Sequence, residues 1–275
     1  MNRETRLYTL NRNQLKYLVI IAMLIDHLAW AFVPTDTVLA QIMHFVGRLT
    51  GPTMAFFVVE GYIHTRNIKK YAQRLALFAL VSWPAFVYFG FGIPAVFVSQ
   101  GSERVLNGLI SFYFAPFDCM LNIVPQFGVI YTLFLSLIAL WVYDKAPWQG
   151  WCKGVVITLL CLLSIYGDWP IFDIMFVLCL FKFRDEPKKK WGAFCLAGGV
   201  MLFVFMGGLS GEFVWKENIC QLGIFIVPIL LQFGYNGESG SKKPFHKWFF
   251  YIFYPLHLLT LGIIKYVVVN KGGIL

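Results

Sequence analysis

The chain has 275 residues, of which 59% are hydrophobic and only 13% charged, and its mean hydropathy is +0.68. A soluble domain carries about 25% charged residues, so this composition excludes an ordinary soluble enzyme and leaves no length for a sizeable soluble domain. The net charge of +9 raises nucleic acid as a partner, but its distribution along the chain is that of membrane topology, and no nucleic acid is expected.

The first element is the apolar run 14–33, QLKYLVIIAMLIDHLAWAFV. About 20 residues at about 1.5 Å rise match a hydrocarbon core about 30 Å thick. The basic segment before it and the tripeptide Ala29-Trp30-Ala31 resemble a signal peptide. The run is too long for one, and it is read as a retained first span. Span two is expected at about 42–65, with a kink or break at Gly51-Pro52, because proline gives no backbone donor. The basic connector RNIKKYAQR leads to span three at about 73–91, kinked at Ser82-Trp83-Pro84. Residues 92–124 read as a long outer loop with an interfacial or re-entrant piece such as 105–115.

Spans four to nine are expected near 125–143, 152–167, 169–183, 191–209, 218–234 and 248–269. Gly167-Asp168-Trp169-Pro170 is a tight turn with a solvated Asp168 and with proline at the first position of the next helix. Asp173 lies about one turn inside span six and is a secondary candidate for the polar cavity. The polar stretch YNGESGSKKPFHK is a plain loop.

Basic residues gather in alternate connectors: Arg3, Arg6, Arg12 and Lys16; Arg66, Lys69, Lys70 and Arg74; Lys145 and Lys153; Lys182, Arg184 and Lys188–Lys190; Lys242, Lys243 and Lys247. Arg48, Arg104, Lys216, Lys265 and Lys271 fall on the other side. The alternation predicts an all-α, polytopic bundle of about nine spans in the bacterial cytoplasmic membrane, as one domain over 1–275 with a cytoplasmic N-terminus. No internal repeat is visible, which disfavours an inverted-repeat transporter. The six cysteines show no CxxC or paired-histidine spacing, and no metal site is expected. Cys152, Cys161, Cys179 and Cys195 lie in or beside apolar runs as small hydrophobes, while Cys119 and Cys220 are placed near the outer face.

The polar groups at membrane depth carry the functional reading, since an ionisable residue there is costly and needs a partner or a wet cavity. Asp26 and His27 sit about 16 Å beyond Lys16 by helix rise, near the midplane. His257 lies about 15 Å beyond Lys247, at the same depth, so the two histidines are candidates to meet. Glu60 and His64 share a helix face, with Arg66 just beyond. A polar track from the basic surface to the midplane competes here with an end-of-helix ion network. Lys69, Lys70 and Arg74 suit an anionic cytosolic ligand, or serve only topology and lipid phosphate. Tyr254-Pro255 marks a distortion beside His257. A neutral imidazole oriented by a carboxylate is a general base for an amine or hydroxyl attacking a thioester. No G-x-S-x-G or H-E-x-x-H motif is present.

The combination of M-x-x-D-H at Met23–His27, G-R-x-x-x-P at Gly47–Pro52 and E-G-x-x-H-T-R-N from Glu60 to Asn67 resembles the TraX family of membrane proteins. The likeness is strongest over 15–90 and 248–262. Where the family has a Ser-Glu-Ile-Pro-type segment this chain has Ser82-Trp83-Pro84, and the Asn-Val-x-x-Thr-Leu pattern is replaced around Phe127–Leu133. The resemblance implies acetylation of a peptide or pilin amine with acetyl-CoA as donor. It implies Asp26 and His27 as the catalytic pair. Arg48, Glu60, His64, Arg66, Lys70, Arg74, Tyr254 and His257 then line the site or the CoA entrance. Two other classes share these features: a small-solute permease using His and Asp as a proton relay, and a structural component of conjugation or secretion.

Overall fold

A computed structural model describes residues 9–91, 110–114, 119–123, 126–208 and 214–272. Each expected span falls on a helical segment. These are α1 (Arg12–Phe32), α2 (Val38–Gly47) with α3 (Thr50–His64), α4 (Ile68–Phe91), α5 (Val129–Lys145), α6 (Gly150–Leu163), α7 (Phe172–Lys182), α8 (Pro187–Phe205), a composite segment Trp215–Gly234, and a C-terminal helix Pro244–Gly272. Among the described residues, five of these are long and apolar enough to cross a bilayer: Arg12–Phe32, Val38–His64, Ile68–Phe91, Trp215–Gly234 and Pro244–Val268. Nine crossings are therefore not what the helix lengths show. The 11-residue α7 rises only about 16 Å, half the hydrocarbon thickness. The helices are apolar outside as well as inside, with Ile21, Leu80, Leu159, Leu196 and Leu256 on outward faces. That is the pattern of helices in lipid, and the chain is a multi-pass membrane protein.

Local chemistry sets the breaks. Asn11 caps α1 in a reciprocal box with Gln14, each side chain accepting the other's backbone N–H at 3.0 Å. The break in span two falls at Arg48-Leu49 rather than at Gly51-Pro52. Pro52 sits in the first turn of α3, where its missing N–H is not needed, so it starts a helix instead of bending one. Pro84 lies inside the continuous α4.

The turn before α7 is folded inward. Trp169 and Ile171 both have positive φ, 59° and 65°. This is a strained conformation for a β-branched residue, held here by Ser164 Oγ accepting the Ile171 N–H at 2.7 Å. The segment also bonds to residue 127: Asp168 N–H donates to the Phe127 carbonyl at 2.9 Å. Ile110–Phe114 pairs antiparallel with Cys119–Ile123 as a short hairpin in the stretch expected to be an outer loop. The rest of that stretch lies outside the described residues.

The C-terminal helix packs against α4 and α1, while α5 packs against α3, α4, α6 and α7. The main apolar core runs through these helices and includes Leu15, Met23, Phe57, Leu137, Phe176 and Leu258. One consequence is that helices from the two ends of the sequence enclose a common space.

Candidate functional site

That space is a cavity of about 490 Å³ between α1, α3, α4, α5 and the C-terminal helix. Small-molecule sites usually span about 300–1,000 Å³. Its lining carries Arg12 and Lys16 of α1, Arg74 of α4, and Lys242, Lys243 and His246 around the start of the C-terminal helix, with no carboxylate. Arg74 Nε is buried without a hydrogen-bond partner. Lys16 Nζ lies over the rings of Phe57 and Phe250, at 5.1 and 5.3 Å. A ring face holds a cation in place without neutralising it, so the cavity keeps its positive character for an anionic ligand.

Neither His27 nor His257 lines the cavity, but each lies one turn beyond a wall of it. Lys16, Ile20 and Met23 mark successive turns of α1 along its wall, and the next turn on that face is His27. His246, Phe250 and Tyr254 do the same on the C-terminal helix, and the next turn there is His257. The two rings meet: His27 Nδ1 and His257 Nε2 are 2.9 Å apart. His257 Nδ1 is 2.8 Å from the Phe253 carbonyl, which can only accept. In the neutral pair His257 Nδ1 therefore carries the hydrogen, and His257 Nε2 accepts from His27 Nδ1–H. His27 Nε2 is left with a lone pair and no hydrogen bond to any described residue. A bare, oriented imidazole nitrogen is what a general base requires.

The carboxylate expected to steady His27 does not do so. Asp26 Oδ1 lies 2.8 Å from His44 Nδ1 and 3.3 Å from an Arg48 terminal nitrogen. The reason is helical geometry: consecutive residues point about 100° apart, so Asp26 faces α2 while His27 faces the C-terminal helix. Arg48 in turn lies 5.2 Å over the Trp169 ring. Two glycines permit this approach. A Cβ on Gly47 would overlap the Asp26 side chain, and one on Gly51 would come within 2.8 Å of Trp169. Gly47→Ala is expected to lower stability by about 1–3 kcal/mol, the usual cost of overpacking, read as a fall in melting temperature in detergent.

The TraX protein family matches residues 11–265. The chain belongs to the TraX family. It is also 30% identical over 249 residues to a "Probable fimbrial assembly protein FimC, serogroup H1" of Dichelobacter nodosus, covering 90% of this chain and 93% of the relative. No solved structure matches it significantly.

The TraX match spans the cavity and both histidine clusters, and the other predicted residues sort around them. Arg74 and Tyr254 line the cavity. The Tyr254 hydroxyl accepts the Val129 N–H at 3.1 Å, satisfying the first turn of α5. Glu60 does not line the cavity and forms no track with His64. Its Oε2 accepts from Arg12 Nε at 3.0 Å and from the Tyr235 hydroxyl at 2.8 Å, so it holds a lining cation in place. His64, Arg66 and Lys70 are exposed at the basic end and outside the lining. Asp168 is not a solvated turn residue: the inward turn half-buries it in the fields of Arg48, Asp26 and Tyr254. Among the described residues no group of histidine, cysteine and acidic side chains is arranged to hold a metal ion. Cys220 is a buried free thiol.

Sequence reasoning passed over His44 and three of the cavity's cations in this TraX-family chain, and it gave Asp173 only as a secondary candidate for a polar cavity. His44 is 3% exposed, and its Nε2 is buried with no partner, which costs about 1–3 kcal/mol when left unmade. Its signal was available, since it lies four residues before Arg48 on one helix face. Asp173 is fully buried, with Thr132 donating to Oδ2 at 2.8 Å and Oδ1 unpartnered. The cations Arg12, Lys242 and Lys243 carried no signal beyond topology, because only folding brings them to one cavity.

Proposed function

We propose that this protein is a membrane-embedded acetyltransferase. It moves an acetyl group from cytosolic acetyl-CoA to an amine, and it works in pilus biogenesis. The reading as a pilus-related membrane protein is supported by the TraX family and by the fimbrial assembly relative. The chemistry is supported by one observation: a cation-lined cavity whose long walls lead, one turn further on both helices, to the paired imidazoles of His27 and His257. With the basic connectors on the cytoplasmic side of the bacterial cytoplasmic membrane, the cavity opens toward the cytosolic donor. Arg12, Lys16, Arg74, Lys242 and Lys243 receive its phosphates, and the thioester lies toward His27.

His27 Nε2 takes a proton from the attacking amine as the new N–C bond forms. The C–S bond breaks, and the imidazolium returns the proton to the thiolate sulfur. His257 holds the base through the hydrogen bond at Nδ1 and is itself fixed by Phe253. No step uses a nucleophilic serine or cysteine. The acceptor we assign is a peptide amine such as a pilin N-terminus.

The reading is tested with purified protein in detergent. CoA raises the melting temperature, and thiol release from acetyl-CoA depends on added amine. A permease or a purely structural component shows neither effect, and that result overturns the reading. Arg74→Ala is expected to raise the KM for acetyl-CoA by about 10- to 100-fold, the worth of one charge-assisted hydrogen bond, with kcat changed little.

A further inference from the structure

A peptide amine or alkylamine reaches a site at neutral pH as ammonium, since the α-amino pKa is about 7.7–8.0 and that of lysine about 10.4. Two protons must then leave the nitrogen, and one of them has no destination in the scheme above. The thiolate takes one through His27. The ammonium proton needs a second base. The molecule holds a second histidine system beside the first, unused by that scheme.

His44 Nδ1 donates to Asp26 Oδ1 at 2.8 Å, which leaves Nε2 as the lone-pair nitrogen in the neutral ring. That nitrogen is buried and unpartnered. Around the ring stand Asp26 and His27 on α1 and Arg48 at the break after α2, and Asp26 and Arg48 in turn lie in the fields of Asp168 in the inward turn and Cys220 in the composite segment. Two carboxylates thus stand against one guanidinium, which favours an incoming cation. Trp30, half exposed, packs its ring 4.6 Å from that of His44 and gives the cluster an aromatic edge.

We propose that the Asp26–His44 dyad is an acceptor-side base that takes the proton of an ammonium group before the amine attacks. The site is thereby suited to amines that are charged at neutral pH. The ammonium N–H bond breaks toward His44 Nε2, giving imidazolium beside Asp26 and a free lone pair on nitrogen. That lone pair forms the N–C bond as the C–S bond breaks. The second N–H proton passes through His27 to the sulfur, and the His44 proton leaves to water. The sum is ammonium plus thioester giving amide, thiol and one proton.

This inference rests on the acetyl-transfer reading, and its test separates the two. Thiol release from acetyl-CoA is measured at pH 7 with two probes: alanine amide, largely ammonium, and a weakly basic arylamine, which arrives neutral. His44→Gln keeps a side chain able to donate to Asp26 but removes the base. The expected result is a loss of 100-fold or more with alanine amide and less than threefold with the arylamine, whereas His27→Asn loses both. Equal loss on both probes, as from structural damage, overturns the dyad's role, and so does no loss on either. If wild-type protein releases no thiol with any amine, the acetyl-transfer reading fails and takes this inference with it.

Discussion

Replacing His27 with asparagine is expected to lower turnover by about 100- to 10,000-fold, the range a positioned general base contributes. The KM for acetyl-CoA should stay within about twofold, because His27 is not among the residues that line the cation-rich cavity. Asparagine is chosen over alanine because its amide can still donate toward His257 Nε2. The acceptor on His257 then keeps a partner, and a fold defect is not mistaken for lost chemistry. Thiol release at saturating donor and amine reads the effect. A variant within threefold of wild type removes His27 from the mechanism. A variant that fails to be stabilised by CoA shows that the substitution reached the cavity and not only the base.

The second large effect concerns stability. Asp26→Ala leaves the Arg48 guanidinium without its carboxylate and His44 Nδ1 without its acceptor, where Gly47 packs closely on the Asp26 side chain and the Trp169 ring lies under Arg48. Removing one partner of a buried ion pair costs about 3–5 kcal/mol, mostly for the charge left behind. The expected result is a large drop in melting temperature and in membrane abundance. Removing both charges together, as Asp26→Leu with Arg48→Met, should cost less than Asp26→Ala alone, since no uncompensated charge remains. A double variant worse than the single one would show that the cluster is held by something other than charge pairing. Thiol release with alanine amide should be lost in the double variant even where the protein accumulates, because His44 loses the group that orients it, while release with the arylamine should persist.

These two experiments separate neighbours in sequence that the fold assigns to different tasks. Asp26 and His27 read as one dyad only while the chain is a string. On a helix they diverge, and each finds a histidine from another element: His44 from α2 for Asp26, and His257 from the C-terminal helix for His27. His27 and His257 meet as counting helix rise from Lys16 and Lys247 suggested, because helix rise is a local property. The pairing of Asp26 failed because it depends on which helix packs against which face.

Glu60 shows the same division. Its place near the basic end was legible, but its partners, Arg12 and Tyr235, lie 48 and 175 residues away. Asp168 was misread because turn composition suggests solvent. The turn is instead pulled inward by hydrogen bonds to residue 127 and by Trp169 packing on Gly51.

The amino-acid sequence by itself determined that this is a helical membrane protein, where its helices run, which ends are basic, and which ionisable groups lie within apolar helices. Hydropathy, helix rise and the charge asymmetry of connectors are local quantities, summed over neighbouring residues. Only the tertiary structure decided that five basic side chains from three separate parts of the chain line one cavity. It also decided that two imidazoles 230 residues apart are hydrogen-bonded to each other, and that the carboxylate beside one of them serves another ring. Those are contacts between faces of different helices, and a face has no partner until the bundle closes around it.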